Sequence, residues 1–223
     1  MKIAIIGQQD YGKAVLEAFH ARGDEIAGVF VAPEKEGARP DPLRAAAQEK
    51  GLRVFQFASY RKPDAQDALR GLNVDLGIMA YVLLFAPQGF VNNPRLGTIQ
   101  YHPSLLPKHR GPSSINWPII QGATRTGLTI FRPTDGLDEG PVILQKSCDV
   151  GPDDTLGDVY FNKLFPLGVA AMLEAADLVF SGPGSPTYAL STWHGSSVPE
   201  AIADKLARGG VAVFSSAAAV TVG

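Results

Sequence analysis

The sequence predicts an α/β fold: a doubly wound, mostly parallel sheet with helices on both faces. Three observations predict it. Short apolar runs alternate with amphipathic stretches along most of the 223 residues, the order expected of β-α-β units. Several runs, "VDLGIMAY" above all, are apolar on both faces, as strands covered by two helical layers must be. The first run, "KIAII", turns through Gly7 directly into a helical pattern, the way such folds open.

Each element follows from local chemistry. After "KIAII", a helix from about Tyr11 places Val15, Ala18 and Phe19 on one face. "EIAGVFV", Glu25–Val31, is a second strand, and "PEKEGARPD" a polar, proline-bearing loop. Asp41 caps a helix through "PLRAAAQEKG", with Pro42 at its first position and Gly51 as its stop. "LRVFQF" is a third strand, and "PDAQDALRGL" a helix ending at Gly71. "VDLGIMAY" and "LGTIQYH" are the fourth and fifth strands. "SINWPIIQG" is a helix that Pro118 keeps short or kinks. "TGLTIFRP" and "GPVILQKSCDV" are two further strands whose short connection makes one pair antiparallel. "LGDVYFNKLFPLGVAAMLEAADLVF" is a long helical region kinked at Pro166. After "SGPGSPTY" the composition shifts to Ser, Ala and Gly, with one amphipathic helix in "VPEAIADKLARGG". The expected organisation is a catalytic domain over 1–184 and a short atypical tail over 185–223.

Bulk properties narrow the function. A formal net charge of −2 supplies no overall basic field for nucleic acid or membrane. Cys148 is the sole cysteine, which rules out an internal disulfide and fits a reducing compartment. "MKIAIIG" is too short an apolar run for a signal peptide, and no run approaches the ~20 apolar residues of a membrane span. A cytoplasmic protein is expected.

The stretch "IIGQQDYGKA" imitates two phosphate-binding motifs and fails both. As a P-loop it has Gly7, Gly12 and Lys13, but Ala14 stands where a hydroxyl should hold Mg²⁺. Asp10 also puts a negative charge in the cradle. As a dinucleotide fingerprint it has Gln9 where a glycine lets the pyrophosphate approach. The turn therefore speaks for the fold and not for a nucleotide.

In doubly wound sheets ligands sit beyond the carboxyl ends of the strands, which directs attention to "HPSLLPKHRG" after the fifth strand. His102 ends that strand and is placed for acid–base work. His109, between Lys108 and Arg110, belongs to a basic loop that is either solvated or anion-binding. His20 falls on a helix surface. No pair of His or Cys residues has metal-ligand spacing, and no G-x-S-x-G is present. In "PTDGLDEGPV", Asp135, Asp138 and Glu139 crowd a turn. One of these carboxylates facing His102 would fix the tautomer of the imidazole and stabilise its protonated form.

Together, "YHPSLLPKHRGPSSINW" and "GLTIFRPTDGLDEGPVILQK" resemble the folate-dependent formyltransferase family. Further echoes lie in "MKIAIIGQ", "DPLRAAAQEKGLRVF" and "LFPLG", and the wording is most similar to the hydrolase domain of 10-formyltetrahydrofolate dehydrogenases. The resemblance runs from Met1 to about Gly184. It implies a Rossmann-like sheet, no metal, and 10-formyltetrahydrofolate as formyl donor, with the formyl group passing from N10 to an amine or to water. His102 would be the catalytic histidine and Asp138 the essential carboxylate. Ser104, Leu105, Leu106 and Pro107 would form part of the folate-side loop, and Leu84, Phe85 and Ala86 would line the pterin pocket. Transferases of the family carry Asn two positions before the histidine. Here Gln100 holds the same amide one methylene further out, a third catalytic candidate whose placement decides its worth. The neighbouring alternatives are a sugar-nucleotide N-formyltransferase and a catalytically weak folate-binding module. tRNA is not expected as a partner, because the C-terminal extension of the tRNA-acting relatives has no counterpart.

Overall fold

The computed structural model describes residues 1–181 together with 202–203, 206–207 and 211–214. By internal contacts the chain divides into two units, Met1–Leu173 and Glu174–Gly223. The expected boundary near 184 falls outside the described residues.

In the first unit the chain runs β1 (Lys2–Gly7), α1 (Gln9–Arg22), β2 (Glu25–Val31), α2 (Pro42–Glu49), β3 (Val54–Gln56), α3 (Pro63–Leu72), β4 (Leu76–Ala80), α4 (Gln88–Val91), β5 (Thr98–His102), α5 (Asn116–Ile120), β6 (Arg125–Phe131) and β7 (Val142–Asp149). Then come α6 (Leu156–Val159), a π-helical turn (Tyr160–Leu164) and α7 (Phe165–Asp177). Among the described residues seven strands form one sheet in the order β3-β2-β1-β4-β5-β6-β7. The first five in that order pair in parallel.

Strand alternation assigns the two faces. Ala4 and Ile6 of β1 join a buried cluster with Leu69 and Leu72 of α3 and Phe90 and Val91 of α4. Ile3 and Ile5 point the other way and are equally buried. Gly7 is required where β1 meets β4, since a Cβ there would lie 1.9 Å from the carbonyl oxygen of Ala80.

Four details differ from the sequence-based expectation. α1 begins at Gln9, before Tyr11. α3 passes through Gly71 and stops at Asn73, whose φ of 48° supplies the left-handed residue that glycine was expected to provide. β6 is antiparallel to β5 as well as to β7, so two pairs are antiparallel. Finally, "LVFS" leaves the helix. Leu178–Ser181 is a strand, β8, pairing in parallel with β9 (Val211–Phe214) in the second unit, in keeping with the extended preference of Val and Phe. The expected kink before Pro166 takes the form of the π turn, in which the N–H of Phe165 donates to the carbonyl of Tyr160. Pro166 has no N–H of its own to continue the ladder. The helix expected in the tail lies mostly outside the described residues.

The antiparallel return of β6 positions the site. A parallel neighbour would force the chain back across the sheet. Because β6 runs back beside β5, with His102 opposite Thr129, the connection 103–124 stays at the carboxyl edge.

Candidate active site

Gln100 and His102 lie two apart on β5 and so project from the same face. Tyr101 projects from the other, where it stacks on Tyr11 of α1 with ring centroids 4.3 Å apart. Tyr11 also meets the ring of Phe165 edge-on. Burial pushes both tyrosine hydroxyls well above their ordinary range, and neither has a hydrogen-bond partner among the described residues.

Asp138 reaches the Gln100–His102 face from the β6–β7 loop. Its Oδ2 lies 3.4 Å from Nδ1 of His102 and accepts the backbone N–H of Gly111 at 2.7 Å. Its Oδ1 accepts from Nε2 of Gln100 at 3.3 Å. The side chains of His102 and Asp138 are only 7% and 10% exposed. Nε2–H of His102 donates to the carbonyl of His109 at 2.9 Å. A carbonyl only accepts, so a hydrogen sits on Nε2. Asp138 Oδ2 stands on the Nδ1 side of the ring, where a carboxylate can accept a hydrogen.

The backbone is contorted to achieve this. Tyr81, His109, Ser113 and Asp138 all have positive φ, 45° at Asp138, a conformation that non-glycine residues hold only when their surroundings impose it. The loop carrying Asp138 is pinned at its neck. The N–H of Arg132 donates to the carbonyl of Pro141, and that of Thr134 to Glu139. Gly140, at φ 142°, passes so close to Arg132 that a Cβ would sit 1.8 Å from its carbonyl oxygen. Arg110 and Glu139, 3.9 Å apart, bridge the two loops.

The other candidate residues have different placements. Ser104 is fully buried. Its hydroxyl donates to the carbonyl of Lys108, and its own carbonyl accepts from Thr129 Oγ1. Leu106 is buried and Leu105 half-buried, while Pro107 and Lys108 are exposed. Ala86 belongs to the α3–α4 core cluster and Leu84 packs against it, whereas Phe85 stays outside with the Arg61 guanidinium over its ring at 4.7 Å. The pairing of Met79 with Gln100 brings β4 and β5 out of the sheet side by side, so the segment 81–87 starts beside His102. Among the described residues no three His, Cys, Asp or Glu side chains gather as metal ligands.

Two contributors escaped sequence reasoning. Gln145 of β7 donates to both the carbonyl of Leu106 and Thr129 Oγ1, each at 2.9 Å, stapling the loop after His102 to the sheet. Its only signal was a polar residue inside an apolar run. The N–H of Gly111 carries no side-chain signal at all. Nearby, burial, then Tyr81, then Asp10 push the Tyr160 hydroxyl up to about 12, which places these three groups together. An open groove of about 500 Å³, lined by Asn92, Arg95, Leu96 and Arg132 among others, lies at the opposite end of β5 and shares no residue with the His102 cluster. Arg95 there is committed to Asp75.

Comparison with known proteins bears on the whole domain. A family model described as formyl transferase matches residues 1–175. The mitochondrial 10-formyltetrahydrofolate dehydrogenase of Mus musculus is 40% identical over 192 residues, 84% of this chain and 21% of that protein. The cytosolic 10-formyltetrahydrofolate dehydrogenase of the same species is 43% identical over 187 residues, 82% of this chain and 21% of that protein. The chain thus spans about a fifth of the length of these relatives. Among solved structures, glycinamide ribonucleotide transformylase 1 from Symbiobacterium toebii superposes with a TM-score of 0.69 at 22% identity, covering 82% of this chain and 91% of that one. A phosphoribosylglycinamide formyltransferase from Bacillus Halodurans gives 0.65 at 21% identity, covering 79% and 97%. These two likenesses establish the fold.

Proposed function

This chain belongs to the formyl transferase family, and from that premise we propose that it is a one-carbon enzyme that takes the formyl group from N10 of 10-formyltetrahydrofolate and passes it to an amine or to water. The observation that carries the reading is the convergence of Gln100, His102 and Asp138 at the carboxyl edge of the sheet. The relatives named for this folate support the choice of donor.

The mouth of the site suits a folate. Leu83, Phe85 and Leu137 are large apolar side chains left exposed, the kind of surface a flat ring covers. Exposed Lys108 and Arg110 suit an acidic tail.

Asp138 holds Nδ1 of His102, which leaves Nε2 for chemistry. The His109 carbonyl, Nε2's present partner, must yield to the formyl oxygen. An imidazolium then offers its Nε2–H as negative charge gathers on that oxygen, and Asp138 stabilises the cation. One such donor is typically worth about 3 kcal/mol. Gln100 points its amide at Asp138, so it acts first as a positioning residue for the carboxylate. As the bond between the formyl carbon and N10 breaks, the His102–Asp138 pair returns a proton to N10 and accepts the one that the attacking amine or water gives up. A cytoplasmic setting belongs to the same proposal. Among the described residues no helix is long and apolar enough to cross a membrane, and the relatives are named as both cytosolic and mitochondrial.

The test is release of tetrahydrofolate from 10-formyltetrahydrofolate, followed by absorbance with and without added amines. His102→Ala and Asp138→Ala are expected to lower the rate by roughly 10²–10⁴. Undiminished turnover in both would sink the assignment. A second reading, a folate-binding module without turnover, draws on the engagement of both imidazole nitrogens. It requires folate to bind wild-type protein while no tetrahydrofolate appears.

A further inference from the structure

Gln145 stands on β7, two strands away from the histidine, and hydrogen-bonds to no member of the Gln100–His102–Asp138 cluster. The loop it ties nevertheless holds both the imidazole and the acid. His102, Thr129 and Gln145 lie opposite one another on β5, β6 and β7, so the three project from one face. That places Gln145 roughly 10 Å from the imidazole, two strand spacings away. Between them Thr129 is fully buried, and its hydroxyl uses its whole capacity. It donates to the carbonyl of Ser104 at 2.7 Å. It accepts from the N–H of Leu106 at 3.0 Å and from Nε2 of Gln145 at 2.9 Å, which accounts for one hydrogen and two lone pairs. The Gln145 amide uses both its hydrogens as well, the second on the carbonyl of Leu106 at 2.9 Å.

This arrangement has a polarity. Facing a carbonyl and a hydroxyl whose one hydrogen is already given, the group at 145 can only donate. An acceptor there would repel the Leu106 carbonyl and draw the Thr129 hydrogen away from Ser104. The tie is passed on along the loop. The Ser104 hydroxyl donates to the carbonyl of Lys108 at 2.7 Å, and the N–H of Lys108 donates to Leu105 at 3.1 Å. The next residue, His109, presents its carbonyl to Nε2 of His102 at 2.9 Å. Gly111 gives its N–H to Oδ2 of Asp138 at 2.7 Å. One short loop thus holds the far side of the imidazole and one oxygen of the acid, and Gln145 fixes where that loop starts. Gln145 is itself exposed, so replacing it opens no hole in the core.

We infer that Gln145 is a positioning residue for the His102–Asp138 pair, acting through the loop 103–111 by donation alone. Its meaning for catalysis rests on the formyl-transfer reading, but the positioning is also read without turnover. The readout is the NMR signals of the Gly111 amide and the His102 ring nitrogens in the full chain. Three variants grade the donor: Gln145→Lys keeps one, Gln145→Leu has neither donor nor acceptor, and Gln145→Glu offers only acceptors. The signals are expected to stay near those of wild type in Gln145→Lys, to move in Gln145→Leu and to move further in Gln145→Glu. The kcat for tetrahydrofolate release should follow the same order, within about threefold of wild type for Lys, about tenfold down for Leu and lower still for Glu, since displacement on the order of 1 Å can cost about 10² in rate. Should Gln145→Glu not fold, the Lys and Leu variants carry the comparison. Unmoved signals in Gln145→Leu, or an unchanged kcat per folded molecule while only KM or the thermal midpoint shifts, overturn the inference and leave Gln145 a structural tie. A loss as large in Gln145→Lys as in Gln145→Leu overturns the donor polarity. Absence of turnover in wild type strikes the formyl-transfer reading alone and leaves the NMR comparison to decide on Gln145.

Discussion

Asp41 and Asp138 are both largely buried carboxylates at the same edge of one sheet, and they are held in opposite ways. Asp41 accepts only from backbone N–H groups, all at 2.9–3.0 Å. Neither donor is a side chain, and both belong to the first turns of helices, so Asp41 is held as a helix cap is held. Asp138 has one short backbone contact, to Gly111, and two longer ones, to Gln100 and His102. Those two partners are side chains, and one of them is an imidazole, which can carry a hydrogen on either ring nitrogen. What separates a helix cap from the acid proposed for catalysis is the mobility and chemistry of its partners, not the burial of the acid.

Four substitutions break or sharpen this contrast. The largest effect is expected from Asp138→Asn. It keeps the shape but loses the charge that pairs with the imidazolium, so tetrahydrofolate release should fall by roughly 10³, with a modest change in thermal midpoint. A midpoint collapse with turnover per folded molecule retained would make Asp138 another cap. Gly140→Ala comes next. The added methyl cannot fit against Arg132, and the Asp138 loop must shift. Displacement on the order of 1 Å can cost about 10² in rate, and a variant as active as wild type would show that the loop's neck does not aim Asp138. Third, Asp41→Ala should act mainly on stability. It removes the cap of α2 and orphans the N–H of Gln9, for a loss of about 1–3 kcal/mol by denaturant titration. A loss confined to rate would erase the distinction between the two acids. The smallest effect is a pH dependence behind the Asp41 cap. Burial works to raise the carboxyl of Glu34, but the Asp41 N–H, Gln56 and Arg44 outweigh it and hold the group at about 2, against an ordinary 4.5. A depressed pKa gives stability that is complete above the unfolded value and lost as the group protonates. The stability gap between wild type and Glu34→Gln should therefore be widest above pH 4.5 and close toward pH 2. A gap that stays constant across that window would mean the carboxylate charge contributes nothing.

The sequence made the local chemistry legible where one residue carries one physical demand. Asp41 with Pro42 announced a helix start and does cap α2. "EIAGVFV" fits β2 residue for residue. Pro166 announced an interrupted helix. Where two residues could meet the same demand, the reading slipped: Asn73 took the left-handed position assigned to Gly71. The second role of Asp41, at the first turn of α1, could not be read because it depends on packing between helices 32 positions apart. The approach of the Asp138 loop to His102 was equally invisible to periodicity, since loop–loop contacts leave no period. Composition offered three carboxylates that could face His102, and only the likeness of two motifs singled out Asp138. The additional antiparallel pair, β5 with β6, was missed because the strand patterns around it are apolar on both faces and carry no direction.

The stack of Tyr101 on Tyr11 sits between Gln100 and His102, the two side chains that Asp138 reaches. Sliding β5 by a single position would swap its faces, burying the imidazole against α1 and throwing an aromatic ring toward Asp138. Such a slip must first pull Tyr101 out of its place against Tyr11 and Gly168, where even a methyl group would collide. The aromatic pair thereby works as an alignment pin, keeping the histidine on the face of the sheet where Asp138 meets it.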